Sequence, residues 1–167
     1  MAGGVSKRIL GLDPGLQVTG YGLIEMSARR VSVCEAGVLK AAATRKSADM
    51  PSRLAELHRG LVEILEQFRP TAMAVEQLYA HYAHPRTAVL MGHARGVLLL
   101  AAAERSIPVA GYNPTQIKKT ITGHGRASKE QMQRAICREL GLAQVPEPPD
   151  VADALAVALC HAYSMQK

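Results

Sequence analysis

One stretch of sequence decides the fold of this protein: RILGLDPG, at residues 8–15. Its apolar residues predict a buried central strand, which the Pro14-Gly15 pair ends at a turn. Asp13 is therefore expected at the carboxyl end of that strand, the edge where open sheets place ligands and catalytic groups. Aspartate before Pro-Gly is also a common turn residue, so the rest of the chain has to decide between the two roles.

Composition indicates one intracellular domain. The 167 residues, 48% of them hydrophobic, suffice for a single core spanning residues 1–167. No apolar run reaches the ~20 residues that cross a bilayer, and no secretory signal is visible, so we expect a cytoplasmic protein with no membrane partner. Cys34, Cys137 and Cys160 form no CxxC pair and are odd in number, which favours buried thiols over disulfides or a zinc site.

The first half of the chain predicts a meander followed by a crossover helix. Three strands joined by short turns favour antiparallel pairing, at residues 8–13, 20–26 and 31–40. Asp49 and Pro51 then predict the start of an amphipathic helix, which Pro70 ends.

A second apolar run, residues 71–76, ends in a carboxylate as the first strand does. Because a helix precedes it, we expect it to lie parallel beside the first strand. Glu76 would then stand next to Asp13, although a glutamate at a strand end is by itself weak evidence for a ligand.

The second half alternates helices and one more strand. We expect a helix over 87–105 with small residues suited to close packing, a strand over 107–112, and a helix over 128–140 whose Ser128 and Gln131 form a capping box. The glycine-rich loop at residues 121–128 leads into the helix over 128–140 and has a geometry that suits a phosphate. Aromatic residues between the strand ending at Glu76 and the helix over 87–105 favour base stacking over zinc binding: Tyr79, His81, Tyr82 and His84.

The last helix carries two more carboxylates near its start. Asp150 and Asp153 are three residues apart and share a face. Ordinary capping explains Asp150. Asp153 would lie one turn later among alanines and valines, where an unpaired carboxylate is costly unless a cation neutralises it.

The charge of the chain indicates an anionic partner. The formal net charge is +6, and residues 115–138 hold six Lys or Arg against the single acid Glu130. A solvated helix face is the simpler alternative. With four clustered carboxylates, however, a basic surface favours magnesium-dependent phosphate chemistry, in which two ions ~4 Å apart activate water and stabilise the leaving oxygen. Two carboxylates alone would also fit glycoside hydrolysis.

Several separated motifs, in order over nearly the whole chain, resemble the RuvC family of bacterial Holliday junction resolvases. They are LGLDPG at 10–15, VTGYGLI at 18–24, VEQLY at 75–79, GHARG at 92–96, QIKKTITGHGRASKEQM at 116–132 and PPDVADALAVAL at 148–159. The resemblance implies an α/β, ribonuclease H-like fold with a mixed five-stranded sheet flanked by helices, and a homodimer.

The resemblance also implies roles for individual residues. The metal-binding catalytic carboxylates would be Asp13, Glu76, Asp150 and Asp153, holding Mg²⁺, with two ions per site and Mn²⁺ as a substitute. Tyr79 falls where the family uses an aromatic near the junction centre, usually phenylalanine, and Lys118 and Lys129 match its DNA-contacting lysines. The loop from His81 to His84 departs from the family pattern.

The implied reaction is hydrolysis of four-way junction DNA by paired symmetric nicks, one per protomer, leaving 5′-phosphate ends, in recombination and repair with the RuvA–RuvB branch-migration complex. Three alternatives stay open. An actin-like kinase shares the GLDPG turn but needs a second domain. A non-catalytic junction binder would lose carboxylates that this chain keeps. Another ribonuclease H-like nuclease would differ in its substrate.

Overall fold

The computed structural model describes residues 6–28, 30–40, 49–77 and 84–166. The elements in these ranges follow one another in the order β1 Lys7–Asp13, β2 Val18–Ser27, β3 Arg30–Lys40, α1 Met50–Phe68, β4 Ala72–Glu76, α2 Pro85–Ala103, β5 Val109–Tyr112, α3 Pro114–Thr122, α4 Lys129–Leu140 and α5 Pro149–Ser164. The predicted caps are present: Asp49 accepts a hydrogen bond from the Ser52 amide at 2.9 Å, and Ser128 and Gln131 form the capping box of α4.

The sheet has the strand order β3-β2-β1-β4-β5. β1, β2 and β3 pair antiparallel, whereas β4 lies parallel to both β1 and β5. This confirms the predicted meander and the parallel placement of the second carboxylate-bearing strand. Because Leu12 pairs with Val75, the next residues, Asp13 and Glu76, leave the sheet at the same edge.

Helices cover both faces of the sheet, and the alternation of side chains assigns each residue to a face. Ile9 packs against α3, α4 and α5, whereas its neighbour Leu10 packs against α1 and α2. Two and four residues beyond Ile9, Gly11 and Asp13 lie on the same face as Ile9. We call this the α5 face and the opposite one the α1–α2 face.

Glycines let α5 approach the strands until backbone touches backbone. A Cβ added at Gly11 would lie 2.1 Å from the carbonyl oxygen of Ala154, and one added at Gly20 would lie 2.1 Å from that of Asp150. Side chains at these positions would force the helix off the sheet. The glycines therefore fix the distance between α5 and the sheet, and with it the position of the first turn of α5.

Helix α3 is not among the elements predicted from the sequence. Asn113 caps it by accepting a hydrogen bond from the Gln116 amide at 2.8 Å, Pro114 occupies its first turn, and Gly123 ends it with a φ of 79°. Ile117 and Ile121 bury one face. An Asn-Pro start and two isoleucines four apart are ordinary helix signals, but nine residues give too short a run for periodicity to stand out.

Two further expectations concern cysteines and membranes. The structure joins Cys34, Cys137 and Cys160 by no disulfide in the described residues. Cys34 is exposed and Cys137 only half-buried, so the expectation of buried thiols holds for Cys160 alone. Cys34 stands on the outermost strand, which no further strand covers. In the described part of the chain, no helix combines the length and the apolar composition that crossing a membrane requires.

The far end of α5 is tied to the sheet by a small polar network. The Tyr112 hydroxyl lies 2.7 Å from Nδ1 of His161 and 2.8 Å from the Ser164 hydroxyl. Burial lowers the pKa of His161, so its imidazole is neutral at pH 7 and pairs with the Tyr112 hydroxyl as an uncharged group.

Candidate active site

The turn after Asp13 is held by a buried threonine. Thr19 is fully buried and donates its hydroxyl hydrogen to the carbonyl oxygen of Gly15 at 2.7 Å, while the Gly15 amide donates back to Oγ1 at 3.2 Å. A hydrogen bond in each direction closes the Pro14-Gly15 turn on itself. The turn fixes where β1 ends, and therefore where the Asp13 carboxylate stands.

Electrostatic coupling shows that the predicted carboxylates come together. Burial raises the pKa of Asp13, and the negative charges of Glu76, Asp153 and Asp150 contribute in that order, which together bring it to about 8. Such coupling requires like charges at close range in a poorly solvated place. The structure therefore brings Asp13, Glu76, Asp150 and Asp153 to one edge of the sheet.

Two lysines face the same cluster and oppose the repulsion. Burial and Asp153 raise the pKa of Glu76, whereas Lys118 lowers it. Desolvation also raises the pKa of Asp153, Lys129 lowers it and Asp150 raises it. Glu76, Asp153 and both lysines line one cleft of about 210 Å³ between α3, α4 and α5. Lys118 lies in the helix that sequence periodicity missed.

The start of α5 differs from expectation in two respects. Asp150 is not the cap, because Pro148 occupies that position and no side chain caps the helix. Asp150 lies within the first turn, where its charge suits the positive end of the helix dipole. Asp153 is exposed to the cleft rather than buried among alanines and valines, since its neighbours Ala152 and Ala154 take the sheet-facing positions.

The donor set suits a hard divalent cation. Among the described residues, no three His, Cys, Asp or Glu side chains form a group that holds a metal ion as they stand. Four mutually repelling carboxylates without a histidine or cysteine are nonetheless the oxygen ligands that Mg²⁺ prefers. Burial and, after it, repulsion between the carboxylates raise the pKa of Asp13, and a cation between them would offset both.

The predicted stacking residue Tyr79 lies outside the described residues, as do His81 and Tyr82. His84 is described and exposed, just before α2, and its side chain makes no capping hydrogen bond. The sequence analysis overlooked the supporting residues Thr19, Gly11 and Gly20. Glycines inside apolar strands were the available signal, because glycine there often marks a close backbone approach.

Comparison with known proteins places this arrangement in a family. The family model described as crossover junction endodeoxyribonuclease RuvC matches residues 9–161. A curated relative of that name from Rhodopirellula baltica is 51% identical over 96% of this chain and 88% of its own length, and one from Desulforamulus reducens is 46% identical over 92% of each.

Solved structures agree in fold. Thermus thermophilus RuvC in complex with a Holliday junction substrate has a TM-score of 0.88 and 34% identity, covering 96% of this chain and 95% of that one. The yeast mitochondrial resolvase Ydc2 is 18% identical with a TM-score of 0.66, covering 92% of this chain and 77% of that one, which shows the fold alone. The expected ribonuclease H-like α/β fold is thus confirmed, and the chain belongs to the RuvC family of crossover junction endodeoxyribonucleases.

Proposed function

We propose that this RuvC family member resolves four-way DNA junctions by metal-dependent phosphodiester hydrolysis. The observation that carries the proposal is the cluster of four carboxylates from β1, β4 and α5, flanked by Lys118 and Lys129. Carboxylates can hold the metal ions of such a site, and the adjacent lysines can bind the negatively charged phosphodiester. The relatives' name and the junction substrate in the Thermus thermophilus complex support the choice of DNA junctions.

In this proposal Asp13, Glu76, Asp150 and Asp153 hold Mg²⁺, two ions per site, with Mn²⁺ as a substitute. Bound there, the metal would supply a nucleophilic water and stabilise the leaving oxygen. The protein's own part is positioning. The Thr19 turn fixes Asp13, the strand register fixes Glu76, and the glycine contacts of α5 fix the two remaining aspartates.

Lys118 and Lys129 contact the phosphate backbone in this proposal. Both line the cleft with Glu76 and Asp153, so they would hold the scissile strand against the carboxylates. Tyr79 would stack on a base at the junction centre, and that role stays a prediction because its side chain is outside the described residues.

A homodimer would place two such sites on one junction, so that each protomer nicks one strand and leaves 5′-phosphate ends. Helix α2 supports this assembly. It exposes Val89 (61%) and Leu100 (53%), and apart from the helix's own backbone no described residue lies within 4 Å of where a Cβ would stand at Gly92 and Gly96. These four residues fall on one side of the helix, because their spacings of three, four and four follow the helical repeat.

Such an apolar stripe with small residues at its centre suits close packing against a second copy. We propose that the dimer works as a single-domain protein in the cytoplasm, in recombination and repair, with a RuvA–RuvB branch-migration complex.

The test is cleavage of a synthetic four-way junction with Mg²⁺, resolved strand by strand on a denaturing gel. Wild type should give paired symmetric nicks, and Asp13→Asn should lose cleavage by at least about 10³-fold while junction binding survives, because the substitution removes a metal ligand and some repulsion toward phosphate. An RNA/DNA hybrid is the comparison substrate. Near wild-type cleavage by Asp13→Asn would refute the site, and preferential cutting of the hybrid would refute the substrate.

A further inference from the structure

A second basic cleft lies on the other side of α4. It measures about 710 Å³ and is formed by the turn after α3 and the outer surface of α4. Its polar lining consists of Thr122, His124, Arg126, Gln131, Arg134 and Arg138. Among the residues that the structure describes, no carboxylate lines it, so the arginine charges are concentrated at one place. We call it the arginine cleft.

Helix α4 separates this cleft from the active-site cleft. Lys129, Met132, Gln133 and Ile136 line the active-site side, whereas Gln131, Arg134, Ala135 and Arg138 line the other. Both sets recur at spacings of three and four, so each forms one continuous side of the helix. The two clefts are therefore about one helix diameter apart, ~10–12 Å.

Nearby acids leave most of this charge uncompensated. Arg126 and Arg134 form no ion pair with any described residue, and Nε of Arg134 donates only to the backbone oxygen of Glu130, at 3.4 Å. The charge of Arg134 does lower the pKa of Glu130, one turn earlier on α4. Arg138 contacts Glu139 at 3.4 Å but keeps 73% of its side chain exposed.

The turn that carries Arg126 is internally ordered. The Thr122 hydroxyl donates to the Lys118 carbonyl oxygen at 2.8 Å, the His124 amide donates to Thr122 Oγ1 at 3.1 Å, and the Arg126 amide donates to Nδ1 of His124 at 3.3 Å. The backbone thus presents Arg126 from a fixed position. Less conformational entropy is lost when such a side chain binds an anion.

We propose that the arginine cleft binds the phosphate backbone of the duplex arm adjoining the strand held in the active-site cleft. The two backbones that border the major groove of B-DNA are about 12 Å apart, which matches the width of α4. The exposed N-terminal part of α4 would lie between them, with one strand against Lys118 and Lys129 and the other against Arg126 and Arg134. This inference rests on the proposed function and extends its DNA contacts beyond the cleavage centre.

The test measures junction affinity against salt, with EDTA to prevent cutting. Each phosphate contact contributes about 0.9 to the slope of log K against log salt. The slope should therefore be about 1.8 smaller in magnitude for the double variant Arg126→Gln/Arg134→Gln. Arg134→Lys should keep the wild-type slope because it keeps the charge. The matched control is Arg59→Gln, an exposed arginine of α1 on the opposite face of the sheet.

Cleavage at saturating junction and Mg²⁺ should stay within about twofold of wild type in the double variant, because its substitutions leave the carboxylates untouched. A slope equal to that of wild type and of Arg59→Gln would overturn the inference, and would leave an acidic protein as the alternative occupant. Failure of the proposed function looks different, since wild type itself would then neither bind nor cut the junction.

Discussion

The two faces of the sheet are packed in different ways. On the α1–α2 face, long side chains such as Leu10, Leu61 and Met73 fill the space between helix and strand. On the α5 face, Gly11 and Gly20 remove the side chains, and the helix backbone sets the distance. Long side chains can repack around a change, whereas backbone contacts cannot. All four carboxylates belong to the α5 face. The face that is positioned by backbone contacts is therefore the one where the chemistry is proposed.

The largest loss of stability is expected on the α1–α2 face. Leu61→Ala removes a fully buried side chain and should cost about 2–5 kcal/mol of unfolding free energy, or roughly 2–4 °C of Tm per kcal/mol. Urea titration measures the loss. Cleavage at saturating junction, measured where the variant stays folded, should be unchanged because no carboxylate moves. A matching fall in rate would mean that the two faces are not independent.

A smaller loss of stability should be accompanied by a larger loss of activity on the α5 face. In Gly11→Ala, the new methyl group meets the Ala154 carbonyl oxygen and the Ala158 amide nitrogen, so α5 has to shift. We expect about 1–3 kcal/mol of destabilisation and more than tenfold slower cleavage, since misplacement of ~1 Å can cost 10²-fold in rate. Wild-type kinetics in this variant would show that α5 tolerates displacement.

The charge on the α5 face makes stability depend on pH in the metal-free protein. The pKa of Asp13 is about 8 in the folded protein, against an ordinary value of 3.8, so a bound proton favours the folded state. That stabilisation is complete below about pH 4 and is lost as the pH rises through about 8.

With EDTA, we therefore expect the unfolding free energy to fall by about 1–2 kcal/mol between pH 5 and pH 8.5, after allowance for screening by solvent. Mg²⁺ should restore more of it at pH 8.5 than at pH 5, and Asp13→Asn should flatten the profile. Thermal melting across this pH range measures both effects. A flat wild-type profile would mean that neither burial nor the neighbouring carboxylates raise the pKa of Asp13 in the folded protein.

The smallest effect is expected from the matched glycine on the α1–α2 face. Among the described residues, a Cβ at Gly60, inside α1, would meet only the end of the Leu39 side chain, 3.0 Å away, which can rotate aside. Gly60→Ala should stabilise the protein by up to about 1 kcal/mol through helix propensity. Thermal melting compares it with Gly11→Ala, and equal losses in the two variants would remove the distinction between the faces.

Sequence reasoning predicted much of this because alternation and turns are local properties. Asp13 and Glu76 were found as carboxylates at strand ends, and the order of strands and helices around them followed. The backbone contacts at Gly11 and Gly20 were not predicted, because they depend on where a helix more than a hundred residues later in the chain docks. The same docking explains why Asp153 faces the cleft instead of the interior.

The polar tie at the far end of α5 acts at a distance. The helix has 16 residues and touches Gly11 near its middle, at Ala154 and Ala158. Backbone contacts with Gly20 at Asp150 and with Gly11 at Ala154 and Ala158 hold the first part of the helix against the sheet, so its last turn depends on a contact of its own. The Tyr112 hydroxyl supplies that contact through His161 and Ser164, so a phenol on the edge strand β5 completes the docking of the helix that carries Asp150 and Asp153.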